Sequence, residues 1–516
     1  MTDFKKYEVY FKNLLGNSNF GRLGKTFKTE CKYYYYDMGT GKVLECEKNV
    51  YVILEHLEKG REFSEILNLG LDEDAIIAAL EIIKNAAEDE NILQAPEVTS
   101  LQGPMTLNLK QYVNHGLKQL TLELTQRCNL RCEYCIYQQE NEKFRGFSEA
   151  DDMTFETVKT AVDYLVQHGQ EKEIFITFYG GEPLLRFDLI KQCIEYVKSL
   201  NLGKKVFYNM TSNLTLVTPE IAKYIASIPD FTVLCSIDGP EEIHDEFRKK
   251  IDGTGSFNQT IRGLKYLSEA FKERRYTHIL INSVISPPYT DEKFNKMQKF
   301  FAECPYITNE MNISYSYVDT GEPITFERYK MRREQIEKEE LEEWNPLLLW
   351  ERKNNTFKNF QKLKDTFTWI THSTSLALIH QRTISDKPYN FYEFNGCCVP
   401  GSRRIYVTSD GKIKVCEQVG EAPYIGDLKD GIDLEAIKKI YVDDYLENSM
   451  PDCSNCWAVH FCGICYARCY GKDGINIAEK KYRCLNEREM VKNSLIDYHE
   501  LLENNPEALK ELDYLE

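Results

Sequence analysis

Leu120-Thr121-Leu122-Glu123-Leu124-Thr125-Gln126-Arg127-Cys128-Asn129-Leu130-Arg131-Cys132-Glu133-Tyr134-Cys135 decides the reading of this chain. Its first six residues read as a β-strand, rich in leucine and threonine. The strand runs straight into a loop with three cysteines, spaced Cys128-x3-Cys132-x2-Cys135. Three thiolates on one loop can hold three irons of a cubane cluster and leave the fourth iron open. An open iron is a place for chemistry, whereas a fully ligated cluster mainly moves electrons. A zinc site is the plainer alternative, but zinc asks for four ligands, usually as C-x2-C pairs. The nearest other cysteines, Cys46 and Cys193, fall in a preceding unit and in the middle of a helical pattern. Neither is placed to serve as a fourth ligand.

Outward from that loop, strand and helix patterns alternate. Candidate strands are 118–125, 173–178, 206–212, 231–237, 278–285 and 312–317. Helical patterns lie between them at 155–168, 189–200, 219–227, 257–271 and 291–303. Six βα units in series predict an α/β fold with a parallel sheet, either an open wound sheet or a partial barrel. In such barrels functional groups gather at the C-terminal ends of the strands. The cysteine loop follows strand one and so falls on that face.

Residues 1–100 read as a separate α+β unit. Lys32–Asp37 is a strand, Met38-Gly-Thr-Gly41 a hairpin turn and Lys42–Cys46 the returning strand, with helices near 50–59 and 72–88. A linker from Gln94 to Pro104 closes it. Residues 321–395 are charge-rich and read as a solvated helical linker or insertion. Residues 396–490 hold a second set of cysteines, and 491–516 reads as an acidic C-terminal helix.

The bulk numbers narrow the class. The chain has 516 residues, 42% hydrophobic and 28% charged, with a net charge of −17. That acidic balance argues against a nucleic-acid scaffold, though an acidic field suits a basic peptide partner. No signal peptide or membrane-spanning run is evident, so the expected location is cytoplasmic. In a reducing compartment the 17 cysteines point to metal or iron–sulfur ligation rather than disulfides.

The cysteine loop resembles the signature of the radical S-adenosylmethionine (radical SAM) superfamily, and other motifs agree with it strand by strand. Gly180-Gly-Glu-Pro183 ends the second strand, Thr211-Ser-Asn213 the third and Ser236-Ile-Asp-Gly239 the fourth, with Arg248 after them. The resemblance covers about 105–320 and implies a partial six-stranded barrel. It implies that Cys128, Cys132 and Cys135 hold a 4Fe–4S cluster whose open iron is chelated by S-adenosylmethionine. Gly180 and Gly181 would allow close backbone approach to a ligand. Glu182 would hold the amino group of the cofactor and Arg248 its carboxylate. Ser212, Ser236 and Asp238 are candidates for the ribose and nearby polar groups, and Tyr134 for the adenine. One electron would then cleave the sulfonium, giving methionine and a 5′-deoxyadenosyl radical that abstracts a substrate hydrogen.

Nine cysteines lie between 397 and 484: Cys397-Cys398, Cys416, Cys453-x2-Cys456, Cys462-x2-Cys465-x3-Cys469 and Cys484. This set resembles the SPASM extension, which implies two auxiliary 4Fe–4S clusters and three clusters in all. The family's interleaved pattern assigns Cys453, Cys456, Cys462 and Cys484 to an outer cluster. It assigns Cys398, Cys416 and Cys465 to an inner one. The doubled Cys397-Cys398 and the extra Cys469 depart from the pattern, so two choices stay open: Cys397 against Cys398, and Cys465 against Cys469. A pair of structural zinc ribbons is the alternative for this region.

Residues 1–100 resemble the small winged-helix-like module that binds leader peptides in ribosomal peptide maturation. There an extended leader adds to a sheet edge, and the dock here would be the 32–46 hairpin and the helix after it. Together these resemblances imply a maturase of the sactipeptide and ranthipeptide type, which joins a cysteine sulfur to carbon in a precursor peptide. A low-potential donor such as flavodoxin or ferredoxin would supply electrons. Carbon–carbon crosslinking of a peptide, formylglycine formation on a sulfatase, and a non-catalytic electron carrier are the competing readings.

Overall fold

The computed structural model describes residues 2–16, 18–138, 145–148, 152–308, 310–318, 324–337, 345–394 and 396–514. Six strands of the middle region form a parallel run: β4 (Gln119–Thr125), β5 (Glu173–Gly180), β6 (Lys205–Ser212), β7 (Phe231–Ser236), β8 (Ile279–Ile285) and β9 (Ile313–Tyr317). This is the expected α/β partial barrel. Helices Phe155–His168, Phe187–Ser199, Pro219–Ser227, Phe257–Phe271 and Asp291–Glu303 lie between consecutive strands. Leu120, Leu122 and Leu124 are fully buried on one side of β4, and Thr121, Glu123 and Thr125 are buried on the other. Covering on both faces is what a parallel sheet demands. Several helices start at a threonine whose hydroxyl accepts a first-turn amide: Thr154 from Thr157, Thr218 from Ile221 and Thr290 from Lys293.

The sheet does not stop at the barrel. β10 (Arg404–Val407) pairs in parallel with β4, and β11 (Lys412–Lys414), β12 (Gly426–Asp427) and β13 (Gly431–Ile432) continue it antiparallel. The whole is one ten-stranded sheet in the order β13-β12-β11-β10-β4-β5-β6-β7-β8-β9. The expected boundary near 396 is therefore crossed by backbone pairing at β4. Ile405 and Val407 are fully buried beside the leucines of β4, which gives that pairing an apolar face.

Two expectations need correction. Residues 346–380 are not a solvated insertion. Helices Pro346–Lys353 and Trp369–His380 bury Leu347, Trp350, Leu376 and Ile379 in the core, and only Phe326–Glu337 has the mostly exposed character foreseen for the segment. Nor does the terminal helix begin near 491. It runs from Ile477 to Asn504, so Cys484 sits on it.

The N-terminal unit carries the expected hairpin, β2 (Tyr33–Asp37) and β3 (Val43–Cys46), and the helices Lys48–Glu58 and Glu73–Asp89. It has in addition a first helix, Thr2–Leu15, and a strand β1 (Gly24–Lys28) that leaves β3 as one free edge of a three-stranded sheet. The unit is docked on the C-terminal cysteine region. The Tyr36 ring meets Phe461 at 5.2 Å and Trp457 at 6.2 Å. Thr29 and Tyr34 each donate to Glu503 at 2.8 Å. Among the described residues no helix is long and apolar enough to cross a membrane.

Candidate functional site

The cysteine loop leaves β4 at Thr125 and is clamped from two sides. On one side it lies on the Gly-Gly-Glu turn: Gly181 N donates to Thr125 O and Glu182 N to Arg127 O, both at 2.9 Å. Gly180 has φ +133°, and a Cβ there would sit 2.2 Å from Thr125 O; at Gly181 it would sit 2.0 Å from Arg127 O. What approaches the two glycines is the loop's own backbone. On the other side Arg131 N donates to Lys249 O at 2.7 Å and Glu133 N to Phe247 O at 2.9 Å.

Side chains named from the sequence complete the clamp. Glu182 is buried and its carboxylate accepts from Ser212 Oγ at 2.9 Å, Leu184 N at 3.1 Å and Asn213 N at 2.8 Å. Burial pushes its carboxyl up to about 7, against those hydrogen bonds. Asp238 receives Arg248 Nε at 3.0 Å, Val284 N at 3.0 Å and the Tyr134 hydroxyl. The Arg248 guanidinium lies 5.4 Å from the Tyr134 ring centre. Ser236 is buried at the end of β7, one strand from Ser212. Burial also pushes the Cys128 and Cys132 thiols up to about 12, so a bound metal would have to displace their protons.

The C-terminal cysteines fall into two neighbourhoods. Cys453, Cys456, Cys462 and Cys484 line one cavity together with Lys480 and Arg488. Cys416 and Cys465 interact electrostatically, and the Arg404 guanidinium acts on both Cys416 and Cys398. Cys397 lines the first cavity as well, and it and Cys469 both interact electrostatically with Cys465. Both are buried, and their thiols donate to backbone carbonyls, of Ile464 at 3.7 Å and Cys465 at 3.3 Å. Among the described residues no three His, Cys, Asp or Glu side chains meet the spacing of a single-metal site.

Residues 122–301 match the model of the radical SAM superfamily. That stretch is a radical SAM domain. The chain is 36% identical over 34% of its length to an uncharacterized protein of Methanocaldococcus jannaschii, covering 57% of that protein. It is 27% identical to the radical SAM cyclopropyl synthase TigE of Paramaledivibacter caminithermalis, over 53% of this chain and 57% of that one. To the cysteine-type anaerobic sulfatase-maturating enzyme of Clostridium novyi it is 26% identical, over 69% of this chain and 88% of that one. The chain thus spans little more than half the length of the first two of these relatives. In fold it is similar to native anSMEcpe with bound AdoMet, at a TM-score of 0.52 and 19% identity, over 78% of this chain and 100% of that one.

Within this radical SAM fold the structure adds a chamber that the sequence did not announce. Glu123, Tyr137, Arg145, Tyr406, Lys414 and Glu417 line a polar cavity between β4 and the β10–β11 hairpin. Glu123 is 1% exposed and takes an ion pair from Arg145 at 2.6 Å, while Arg145 lies 4.2 Å from the Tyr137 ring centre. Tyr179, on β5, meets Tyr406 at 6.3 Å and is influenced electrostatically by both Cys135 and Cys416. The chamber wall reaches Tyr137, two residues after Cys135, and Glu417, the residue after Cys416. A signal for it was present: a carboxylate in the middle of the leucine-rich strand 120–125. Arg145 had none, because it follows the loop by ten residues without any pattern around it.

Proposed function

We propose that this radical SAM protein is a peptide maturase that joins a cysteine sulfur to carbon in a ribosomally made precursor. One observation carries the reading: a polar chamber whose lining includes Tyr137, two residues after Cys135, and Glu417, the residue after Cys416. The loop cysteines would hold a 4Fe–4S cluster with an open iron. Cys398, Cys416 and Cys465 would hold an inner auxiliary cluster, and Cys453, Cys456, Cys462 and Cys484 an outer one. The donor sets fit such groups: all three are thiol sets, and the outer one faces buried cations. Cys397 and Cys469 stay outside the ligand sets as hydrogen-bonded thiols. That leaves the inner set with three protein ligands and a place for a peptide thiolate.

S-adenosylmethionine, bound at the open iron, supplies hydrogen-atom abstraction by its 5′-deoxyadenosyl group. The rest is work for this chain's residues. Glu182, Ser212, Ser236 and Arg248 would bind the cofactor's polar groups. Gly180, Gly181, Tyr134 and Asp238 act through the loop, which they hold in place. Glu123 and Arg145 brace the chamber wall so that a peptide segment enters in one orientation and water is displaced. The free edge of β3 beside helix Lys48–Glu58 would receive an extended leader. Flavodoxin or ferredoxin would supply the electrons.

The test is co-expression with a candidate cysteine-rich precursor, followed by mass spectrometry. Each bridge must remove two hydrogens and block one thiol from alkylation. An unmodified peptide in the presence of cofactor and reductant refutes the reading. A second reading, formylglycine formation, is favoured by the 88% coverage of the Clostridium novyi sulfatase-maturating enzyme. It would remove sulfur from the modified residue, whereas a thioether keeps it. Carbon–carbon crosslinking would remove hydrogens and leave every thiol free.

A further inference from the structure

Lys480 is a buried ammonium group without a carboxylate. It is 2% exposed, in the first turn of helix Ile477–Asn504. Its Nζ lies 3.9 Å from Cys484 Sγ and 5.6 Å from the Tyr445 ring centre. Among the described residues no carboxylate pairs with it. The nearby acids are engaged elsewhere: Asp452 with Lys481 at 2.7 Å, Glu479 with Arg483 at 3.3 Å, and Glu487 with Gly463 N at 2.5 Å. An unpaired buried charge costs several kcal/mol even after relaxation, so such a group persists where an anion faces it. The groups acting on Lys480 are Cys484, Cys453, Cys469 and Cys462.

Arg488 repeats the arrangement one turn further on. It lines the same cavity and faces Cys456 and Cys484. Positions 480, 484 and 488 are four apart and share one stripe of the helix. The helix thus offers one thiol with a cation a turn before it and a cation a turn after it.

We infer that Lys480 and Arg488 are the counter-charges of an anionic outer iron–sulfur centre and hold its reduction potential above the value that four thiolates alone would give. The inference rests on the proposed reading that Cys453, Cys456, Cys462 and Cys484 hold that centre. A reduced centre carries one more negative charge than an oxidised one, so a nearby cation favours the reduced form. The step itself is uptake or release of one electron, with no bond made or broken. The consequence is directional. The two cations favour the reduced form of the outer centre over the same centre without them.

The experiment is a potentiometric titration of the reconstituted full-length protein, followed by electron paramagnetic resonance, with iron counted in every sample. In Lys480→Gln the reduced-to-oxidised ratio of the outer centre at a fixed poise should fall at least tenfold, a drop of about 59 mV for a one-electron couple. Lys480→Arg should restore most of it, and Arg488→Gln, at a half-buried position, should lower the potential in the same direction. Full iron with an unmoved potential in both Gln variants overturns the inference while leaving the ligand reading intact. If Cys453→Ala and Cys484→Ala lose no iron, the ligand reading itself fails, and the inference falls with it.

Discussion

Gly181→Ala is the sharpest probe of how the cysteine loop is held. A Cβ at that position would stand 2.0 Å from Arg127 O, 2.5 Å from Arg127 C and 3.1 Å from Cys128 N. Ordinary contact begins at 3.4 Å, so the structure must find 3.4 − 2.0 = 1.4 Å of movement. All three atoms are main chain, so no rotamer change relieves the contact. The loop cannot swing freely either. Arg127 Nε is bonded to Asp152 at 3.1 Å, and Thr125 Oγ1 to the same carboxylate at 2.5 Å.

Overpacking of this kind costs about 1–3 kcal/mol, and loss of the Glu182 N to Arg127 O bond adds about 1 kcal/mol. A total of about 2–4 kcal/mol follows. The denaturation midpoint of the apo-protein in urea should fall accordingly. Iron after reconstitution should drop by one centre's share, because neither C-terminal cysteine group touches Gly181. S-adenosylmethionine binding, measured by calorimetry, should be lost with it. Gly471→Ala is the matched control, since a Cβ there meets nothing within 4 Å and its φ is not positive. Gly203→Ala separates backbone strain from collision, having φ +63° but open space. A Gly181→Ala protein with the midpoint and iron content of Gly471→Ala would refute the docking argument.

Other expectations can be checked alongside it. Cys397→Ser and Cys469→Ser should keep the iron content of the unaltered protein, whereas Cys398→Ser, Cys416→Ser or Cys465→Ser should lower it by one centre's share. Arg145→Met should lower stability by about 3–5 kcal/mol because it leaves Glu123 buried and unpaired, and a urea midpoint close to that of the unaltered protein would contradict this. Glu503→Ala removes acceptors for Thr29 and Tyr34 and should loosen the N-terminal unit by about 1–3 kcal/mol, read as faster limited proteolysis before residue 100. Glu351 pairs with His372 at 2.6 Å and raises the pKa of that buried imidazole. The pairing therefore adds stability that is fully present below the unfolded histidine value of about 6.5 and is lost as pH rises through the higher folded value. Glu351→Gln should flatten that dependence in urea midpoints measured across this range.

The barrel was legible because its strands and helices each repeat a simple local pattern. Helix 155–168 was placed to the residue, since Thr154 and Gly169 punctuate it on both sides. The extension of the sheet was not legible. β10 pairs with β4 across nearly three hundred residues, and no local pattern encodes a partner that distant. The helix at 346–353 was misjudged for a related reason: charged stretches flank it, yet Leu347, Leu348 and Trp350 are buried in the core. The site divides the same way. Motif residues such as Glu182, Asp238 and Arg248 were named from the family resemblance, but Glu123, Arg145, Lys480 and Arg488 come together only through tertiary contacts.

The pairing of β10 with β4 also ties the site's halves into one mechanical piece. Tyr406 of β10 is in register with Thr121 of β4, and Tyr179 is in register with Glu123. Glu123, Tyr406 and Lys414 of the chamber wall therefore stand on one continuous sheet, whose strands lie about 4.7–4.9 Å apart. On the proposed reading, a peptide lying against it would meet the β4 side and the β10–β11 side at a separation fixed by backbone hydrogen bonds rather than by a flexible linker. A domain merely tethered after residue 396 would vary that separation with every fluctuation, and radical chemistry between two centres depends on it staying constant. Glu123 is also hydrogen-bonded across the seam. Gln126 and Ser409 N both reach toward Glu123, from the β4 side and the hairpin side respectively. A buried carboxylate there acts as a rivet between the two halves, and it holds because water does not compete for its oxygens.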